Sequence, residues 1–369
     1  MRAESDDARA LVTRLVGDQA DDWDRAGRIP AEVVKELAVA GLLAAQIPPE
    51  YGGQGFSSAV NGEFTAHVGT HCSSLRSLLT SHGMAAWTVQ RMGSAEQRAT
   101  WLPRLAGGSL CAVAFSEPGA GSDLSAMTTT IRPDGDGVVV DGGKTWITAA
   151  AYADLVLVFG RHGDGAAAVL VPADAPGVRI RPVPEPMGCR AAGHCEVALD
   201  GVRVDAANLL GGAGLPVDFL VTPALSFGRL SVAWGCVGIL RACLTAATRH
   251  ARGRRQFGRP IAEHQLVARH LAELVVAEQA AARYCEHASR LWDEGSPELV
   301  NATVLAKHLA AGGAAAGAAT AVQVLGSAGA RDGSVVARAY RDAKLMQIIE
   351  GSDEICQLLL AKHAEAVWS

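Results

Sequence analysis

Apolar residues recur every three or four positions over residues 8–16, 31–40 and 80–92, the period of amphipathic helices. Ser94, followed three residues later by Gln97, has the capping-box spacing that opens a helix running into Trp101. Residues 47–55 carry too much Pro and Gly for regular structure. From about residue 109 the period changes. Short apolar runs at 138–141, 155–159, 167–171, 178–181 and 195–199 are separated by Gly, Pro and Asp, a spacing that predicts an antiparallel barrel or sandwich. Beyond Leu220 the helical period returns over 229–250, 265–292 and 297–325. These stretches are long, rich in Ala and Leu and nearly free of Pro, as in a helical bundle. The pattern predicts an α+β chain of three domains: helical over 1–108, β over 109–218 and a helical bundle over 219–369.

Composition narrows the partners. The chain has 369 residues, 49% of them hydrophobic, which is ample for a large core. The net charge is −5 and the Lys and Arg residues are scattered, which argues against nucleic acid or an anionic membrane as the main partner. No apolar run approaches ~18 residues and no basic-then-apolar leader is present, so a soluble, cytoplasmic protein is expected. None of the eight cysteines has C-x-x-C spacing, and buried free thiols are expected rather than a metal site or a disulfide framework. No G-x-G-x-x-G follows a strand and no Walker-type Gly-Lys-Ser/Thr occurs, so neither a Rossmann half nor a P-loop is supported.

Two segments carry candidate chemistry. Residues 114–123 (Ala-Phe-Ser-Glu-Pro-Gly-Ala-Gly-Ser-Asp) read as a strand end followed by a Pro-Gly-x-Gly turn. Its glycines let backbone N–H groups approach a ligand, and Ser116 and Ser122 add small donors, so it can hold a planar or phosphorylated cofactor. An ordinary surface turn fits the same residues. Glu350 ends the apolar stretch Leu345-Met346-Gln347-Ile348-Ile349 as a lone carboxylate. Buried there, it would have a raised pKa and suit a general base; at a helix end it would be a plain surface residue. Arg254, with its planar donors, suits a pyrophosphate, but it also stands in a local basic run with Arg252, Arg255 and Arg259.

Six segments occur in one order: 47–55, 114–123, Lys144-Thr145-Trp146-Ile147-Thr148, Arg254-Arg255-Gln256-Phe257-Gly258, Gln323-Val324-Leu325-Gly326 and Glu350-Gly351-Ser352-Asp353-Glu354. Together they closely resemble the flavin-dependent acyl-CoA dehydrogenases over essentially the whole chain. The resemblance implies an N-terminal helical domain, a middle β-domain and a C-terminal four-helix bundle, with FAD between the last two. It implies that Phe115 and Ser116 border the flavin ring and that Ser122 serves the pyrophosphate or substrate side. Trp146 and Thr148 would cover and hydrogen-bond the ring, and Ser352 and Glu354 would contact FAD. Arg254, Phe257, Gln323 and Gly326 would reach the FAD of a neighbouring subunit, which implies a homodimer, usually paired into a tetramer. Glu350 would remove the α-proton of an acyl thioester while the β-hydrogen leaves as hydride to the flavin. Its backbone N–H and a flavin ribityl hydroxyl would polarise the thioester carbonyl. Glu117 and Asp123 become supports of their turn rather than acids or bases.

Some relatives carry the base on the helix beginning near Ser226, but the matching position here is Gly228, so Glu350 stands without a competitor. Arg229 falls where relatives contact substrate. The chain departs from the usual pattern at Phe115, Ala149, Ile349, Ala330 and Gly333, changes that concern the acyl pocket more than the FAD frame. These departures look similar to a branch in polyketide pathways acting on acyl groups tethered to an acyl carrier protein, including the route to hydroxymalonyl and methoxymalonyl extender units. The substrate is then expected to be small and polar, and the reaction could oxidise a C3 alcohol or aldehyde hydrate. The alternatives are a short-chain acyl-CoA dehydrogenase forming a 2,3-enoyl-CoA, or a flavin monooxygenase or oxidase of the same fold. A DNA-binding relative is disfavoured by the mixed charge of 219–369. An electron-transferring flavoprotein is the electron acceptor that the resemblance implies.

Overall fold

The computed structural model describes residues 2–368. Its N-terminal part holds six helices: α1 (Arg2–Val16), α2 (Ala20–Ala26), α3 (Ala31–Val39), α4 (Ser58–His71), α5 (Ser73–Met92) and α6 (Ala95–Ala106). The capping box forms as its spacing predicts. Ser94 Oγ accepts from the Gln97 N–H at 3.1 Å, and the Gln97 side chain accepts from the Ser94 N–H at 2.9 Å. Residues 47–55 contain only a 3-10 turn at Pro49–Tyr51. Helix α5 is buried along most of its length, although its sequence carries Arg76, His82 and several hydroxyls.

Eight strands follow: β1 (Cys111–Ala114), β2 (Thr130–Asp134), β3 (Gly137–Ile147), β4 (Leu155–His162), β5 (Gly165–Pro172), β6 (Val178–Pro182), β7 (Cys195–Asp205) and β8 (Leu209–Leu215). They form one sheet in the order β6-β7-β3-β2-β4-β5-β8, with β1 also paired to β4. The expected antiparallel arrangement holds for five of the seven strand pairings in this sheet, while β1 and β2 each pair parallel with β4. A parallel pair needs a long connection, and the β2–β3 hairpin between β1 and β4 supplies it. Short-run periodicity cannot report strand direction. Central strands β4 and β5 are buried on both faces, which explains their unbroken apolar runs.

The C-terminal part is built from α7 (Val217–Gly253), the hairpin β9 (Arg255–Gln256) and β10 (Arg259–Pro260), then α8 (Gln265–Asp293), α9 (Leu299–Leu325), α10 (Val335–Met346) and α11 (Asp353–Trp368). Helix α7 is central and packs on α4, α5, α8, α9 and α10. Close approach of α4 and α7 requires glycine: a Cβ on Gly238 would run into the α4 backbone at Ala66 and Gly69. Contrary to the expectation from uninterrupted runs, α7 and the segment Leu299–Ala328 are long and apolar enough to cross a membrane. In α7, 72% of that apolar window is buried inside the protein. All eight cysteines are buried and free.

Candidate active site

Helix α10 ends at Met346, and a tight turn separates it from α11. Glu350 lies in that turn with φ 55°, followed by Gly351 at φ 93°. The left-handed pair reverses the chain and turns the Glu350 side chain inward. Two buried cations hold the turn by its carbonyls. Arg229 Nε on α7 donates to the Glu350 carbonyl at 3.1 Å. Lys307 Nζ on α9 donates to the Gly351 carbonyl at 2.7 Å and to that of Gln347 at 3.4 Å. The Glu350 N–H meets no acceptor among the described residues.

The Glu350 carboxyl is left without local support. Its Oε2 is enclosed and has no hydrogen-bond partner. Burial pushes its pKa up to about 7, although the charges of Arg229, Lys307 and Arg76 act in the opposite direction. Near neutral pH the group is therefore split between its acid and base forms, as a general base requires. The carboxyl fills the space beside Gly228, where an added Cβ would collide with it and come within 2.9 Å of Met84 Sδ. The position that bears a base in some relatives is thus occupied by the Glu350 side chain itself. Arg229, expected at the substrate, has its Nε committed to the backbone of Glu350.

The β-domain holds the other group of candidate residues. Phe115 is buried with its ring 4.2 Å from Phe159, and the Ser116 carbonyl accepts from the Thr145 N–H at 2.9 Å. Lys144 Nζ reaches the Phe115 carbonyl at 3.0 Å and Glu117 Oε1 at 2.8 Å. Glu117 also accepts from the Thr128 and Thr129 N–H groups at 2.6 and 3.0 Å. Burial would raise its pKa, but the hydrogen bonds from Lys144, Thr129 and Thr128 prevail and hold it at about 2. This carboxylate is a fixed strut. Asp123 caps its own turn by accepting from the Ser125 N–H at 3.0 Å.

At the end of β3, Trp146 has φ 57° and is 52% exposed, an open aromatic face. Thr148 Oγ1 lies 3.2 Å from His194 Nδ1, and the Thr148 carbonyl accepts from Ser81 Oγ on α5 at 3.2 Å. Ser81 Oγ also accepts from the Val113 N–H at 3.1 Å, so α5 ties the β-domain to the bundle beside Glu350. Ser122 and Glu354 are exposed, and Ser352 is half-buried.

Arg254, Phe257, Gln323 and Gly326 lie elsewhere. In the bundle, Arg229 and Lys307 mark the end where Glu350 sits, whereas Arg254 closes α7 and Gln323 lies near the end of α9. Along α7, Arg229 and Arg254 are separated by about 37 Å at 1.5 Å per residue. Phe257, at the tip of the β9–β10 hairpin, is 94% exposed with φ 50°. One chain therefore does not bring these four residues to Glu350.

Sequence reasoning passed over Arg76, His194 and Lys307. Arg76 and Lys307 did carry a signal, each being a lone cation inside a stretch of apolar and small residues. His194 carried none, since it becomes notable only by its contact with Thr148.

Comparison with known proteins agrees along the whole chain. Family models described as acyl-CoA dehydrogenase N-terminal, middle and C-terminal domains match residues 2–109, 112–202 and 219–365. A probable acyl-CoA dehydrogenase of Bacillus subtilis, YngJ, is 35% identical, with 96% of this chain and 94% of that protein covered. The glutaryl-CoA dehydrogenase of Desulfococcus multivorans is 33% identical with the same coverage. A solved structure described as FkbI, for biosynthesis of the methoxymalonyl extender unit of the polyketide Fk520, is 61% identical. It superposes with a TM-score of 0.93, covering 97% of this chain and 99% of that one. The chain belongs to the acyl-CoA dehydrogenase family, whose members are FAD-dependent oxidoreductases.

Proposed function

We propose that this protein oxidises a small, oxygenated acyl group carried as a thioester on an acyl carrier protein, in extender-unit biosynthesis of the methoxymalonyl type. The observation that carries the chemistry is the enclosed, unpartnered Glu350 carboxyl with its pKa near 7. The likeness to FkbI, at 61% identity, supports the substrate.

The residues present suit FAD. Trp146 offers an open aromatic face beside Thr148, the turn after β1 presents Ser116 and Ser122, and His194 Nε2 is buried without a partner on the same wall. Phe115, Ser352 and Glu354 complete our assignment of the cofactor site within one subunit. Arg254, Phe257, Gln323 and Gly326 would serve it from a second subunit, in a soluble cytoplasmic homodimer or dimer of dimers. When bound, FAD supplies the hydride acceptor.

Glu350 takes the proton released as hydride leaves the substrate. For an alcohol or aldehyde hydrate at C3 that proton comes from the hydroxyl; for a saturated acyl chain it comes from the α-carbon. The free Glu350 N–H is available to the thioester carbonyl, where a donor stabilises the charge that develops on oxygen. Arg229 and Lys307 keep the turn from collapsing and preserve the direction of that N–H. An electron-transferring flavoprotein fits as the eventual acceptor.

Anaerobic bleaching of the flavin by carrier-bound and CoA-bound thioesters tests the reading. Reduction by a carrier-bound C3-oxygenated acyl group, with slow or no reduction by butyryl-CoA, is the expected result. Rapid bleaching by butyryl-CoA and none by the carrier-bound substrate would make the protein a short-chain acyl-CoA dehydrogenase instead.

A further inference from the structure

His194 is placed beside Thr148 by a segment that leaves it little freedom. Residues 191–194 run along residues 149–152 and are tied to them by hydrogen bonds. The Ala149 N–H donates to the Ala192 carbonyl at 3.0 Å, and the Ala151 N–H to the Gly193 carbonyl at 3.2 Å. The Tyr152 hydroxyl donates to the Ala191 carbonyl at 2.9 Å. Gly193 has φ 66°, and a Cβ there would stand 2.5 Å from the Tyr152 ring, so glycine is what permits this approach. Thr148 is held from its other side, where its carbonyl accepts from Ser81 Oγ at 3.2 Å. The outcome is a 3.2 Å hydrogen bond between His194 Nδ1 and Thr148 Oγ1. The imidazole also packs against Trp146, with ring centroids 5.7 Å apart.

The direction of the bond to Thr148 follows from the other ring nitrogen. His194 Nε2 is enclosed and meets no partner among the described residues. Burial pushes the imidazole pKa down to about 4, with the Arg76 charge acting in the same direction, so near neutral pH the ring carries a single proton. On Nε2 that proton would be a buried donor without an acceptor. On Nδ1 it is used by Thr148. An orphaned buried N–H is tolerated less readily than a bare lone pair, so the proton sits on Nδ1 and Thr148 Oγ1 accepts it. The hydroxyl's own proton is then unclaimed, because Thr148 Oγ1 has no second partner among the described residues.

We propose that His194 is a positioning residue for the cofactor: by donating from Nδ1 it makes the Thr148 hydroxyl a donor fixed towards the flavin ring. This rests on the FAD reading above and deepens it. A free hydroxyl rotates and can either give or accept a hydrogen bond, so a neighbour that fixes its polarity fixes what it presents. A donor of fixed direction interacts unequally with the oxidised and the reduced ring, whose charge differs, and so shifts the balance between them. The donor is also oriented before the cofactor arrives, which spares reorientation when it binds.

The midpoint potential of the bound flavin, read from the visible spectrum against reference dyes, tests this. His194→Leu removes the donor and should change the ratio of oxidised to reduced flavin at a fixed potential by about tenfold, or about 30 mV for a two-electron couple. His194→Asn, whose amide N–H can stand in for Nδ1–H, should stay within about threefold of the wild type. In a Thr148→Val background, which has no hydroxyl to orient, His194→Leu should add nothing further. An unchanged potential in His194→Leu, or an equal shift with and without the Thr148 hydroxyl, overturns the proposal. Should His194→Leu fail to fold, heteronuclear NMR of the wild type with isotope-labelled histidine decides. A protonated Nδ1 and a bare Nε2 are expected, assigned by the loss of those signals in His194→Asn, and the reverse tautomer overturns the proposal. A wild type that takes up no FAD overturns this proposal together with the cofactor reading, whereas a flavin-loaded enzyme whose potential ignores His194 rejects the role of His194 alone.

Discussion

At Glu350 burial and neighbouring charge pull the carboxyl in opposite directions, and burial prevails. Its folded pKa, about 7, lies above the ordinary 4.5, so the native state favours the protonated form. Its contribution to stability is full below about pH 4.5 and is lost as pH rises through 7. Activity runs the other way, because only the carboxylate accepts a proton. The expected kcat/KM rises with pH to a plateau above about 7, read from initial rates across pH. Glu350→Gln should lower turnover by about 10²–10⁴-fold and flatten the change in unfolding free energy between pH 5 and 8. A variant that keeps full turnover would assign the proton transfer elsewhere. Gly228→Ala tests the same pocket from the opposite side. Its Cβ would force the Glu350 carboxyl to move, so turnover should fall at least about tenfold with flavin content unchanged, since a small misplacement of a reacting group is costly.

Among the elements, the turn after β1 shows how a motif rich in carboxylates can be structural. Lys144 and Glu117 are both buried and 2.8 Å apart, and the remaining acceptor capacity of Glu117 is used by Thr128 and Thr129. Removing one partner of such a pair leaves an uncompensated charge, so Lys144→Met should cost about 3–5 kcal/mol in chemical denaturation. Glu117 has a folded pKa of about 2, below the ordinary 4.5. Its contribution is therefore present above about pH 4.5 and is lost as pH falls through 2. Glu117→Gln should remove that acid-side loss. The helices were legible because amphipathic period and caps are local properties, as at Ser94 and Gln97. The parallel pairing of β1 and β2 with β4 was not, because alternation along a strand is the same in either direction.

For the whole molecule, the assigned residues fall at two ends of the bundle. Glu350, Arg229 and Lys307 gather at one end, while Arg254, Phe257, Gln323 and Gly326 stand at the other. Phe257, 94% exposed at the hairpin tip, gains no burial from its own subunit. Phe257→Asp is expected to reduce dimerisation and flavin content together, measured by sedimentation and by the visible spectrum. Loss of neither would place the cofactor contacts within a single chain.

The period of apolar residues determined which segments are helix and which are strand, and the ordered motifs determined the flavin family, because both are encoded in neighbouring positions. They also pointed to Glu350 as a candidate base. The enclosure on which that proposal rests was decided only by tertiary structure. Positions 229, 307 and 350 are far apart in the chain, and packing alone brings two cations onto one turn. The enclosure that raises the Glu350 pKa and the commitment of Arg229 to its backbone depend on distances through space. No local pattern of residues carries those distances.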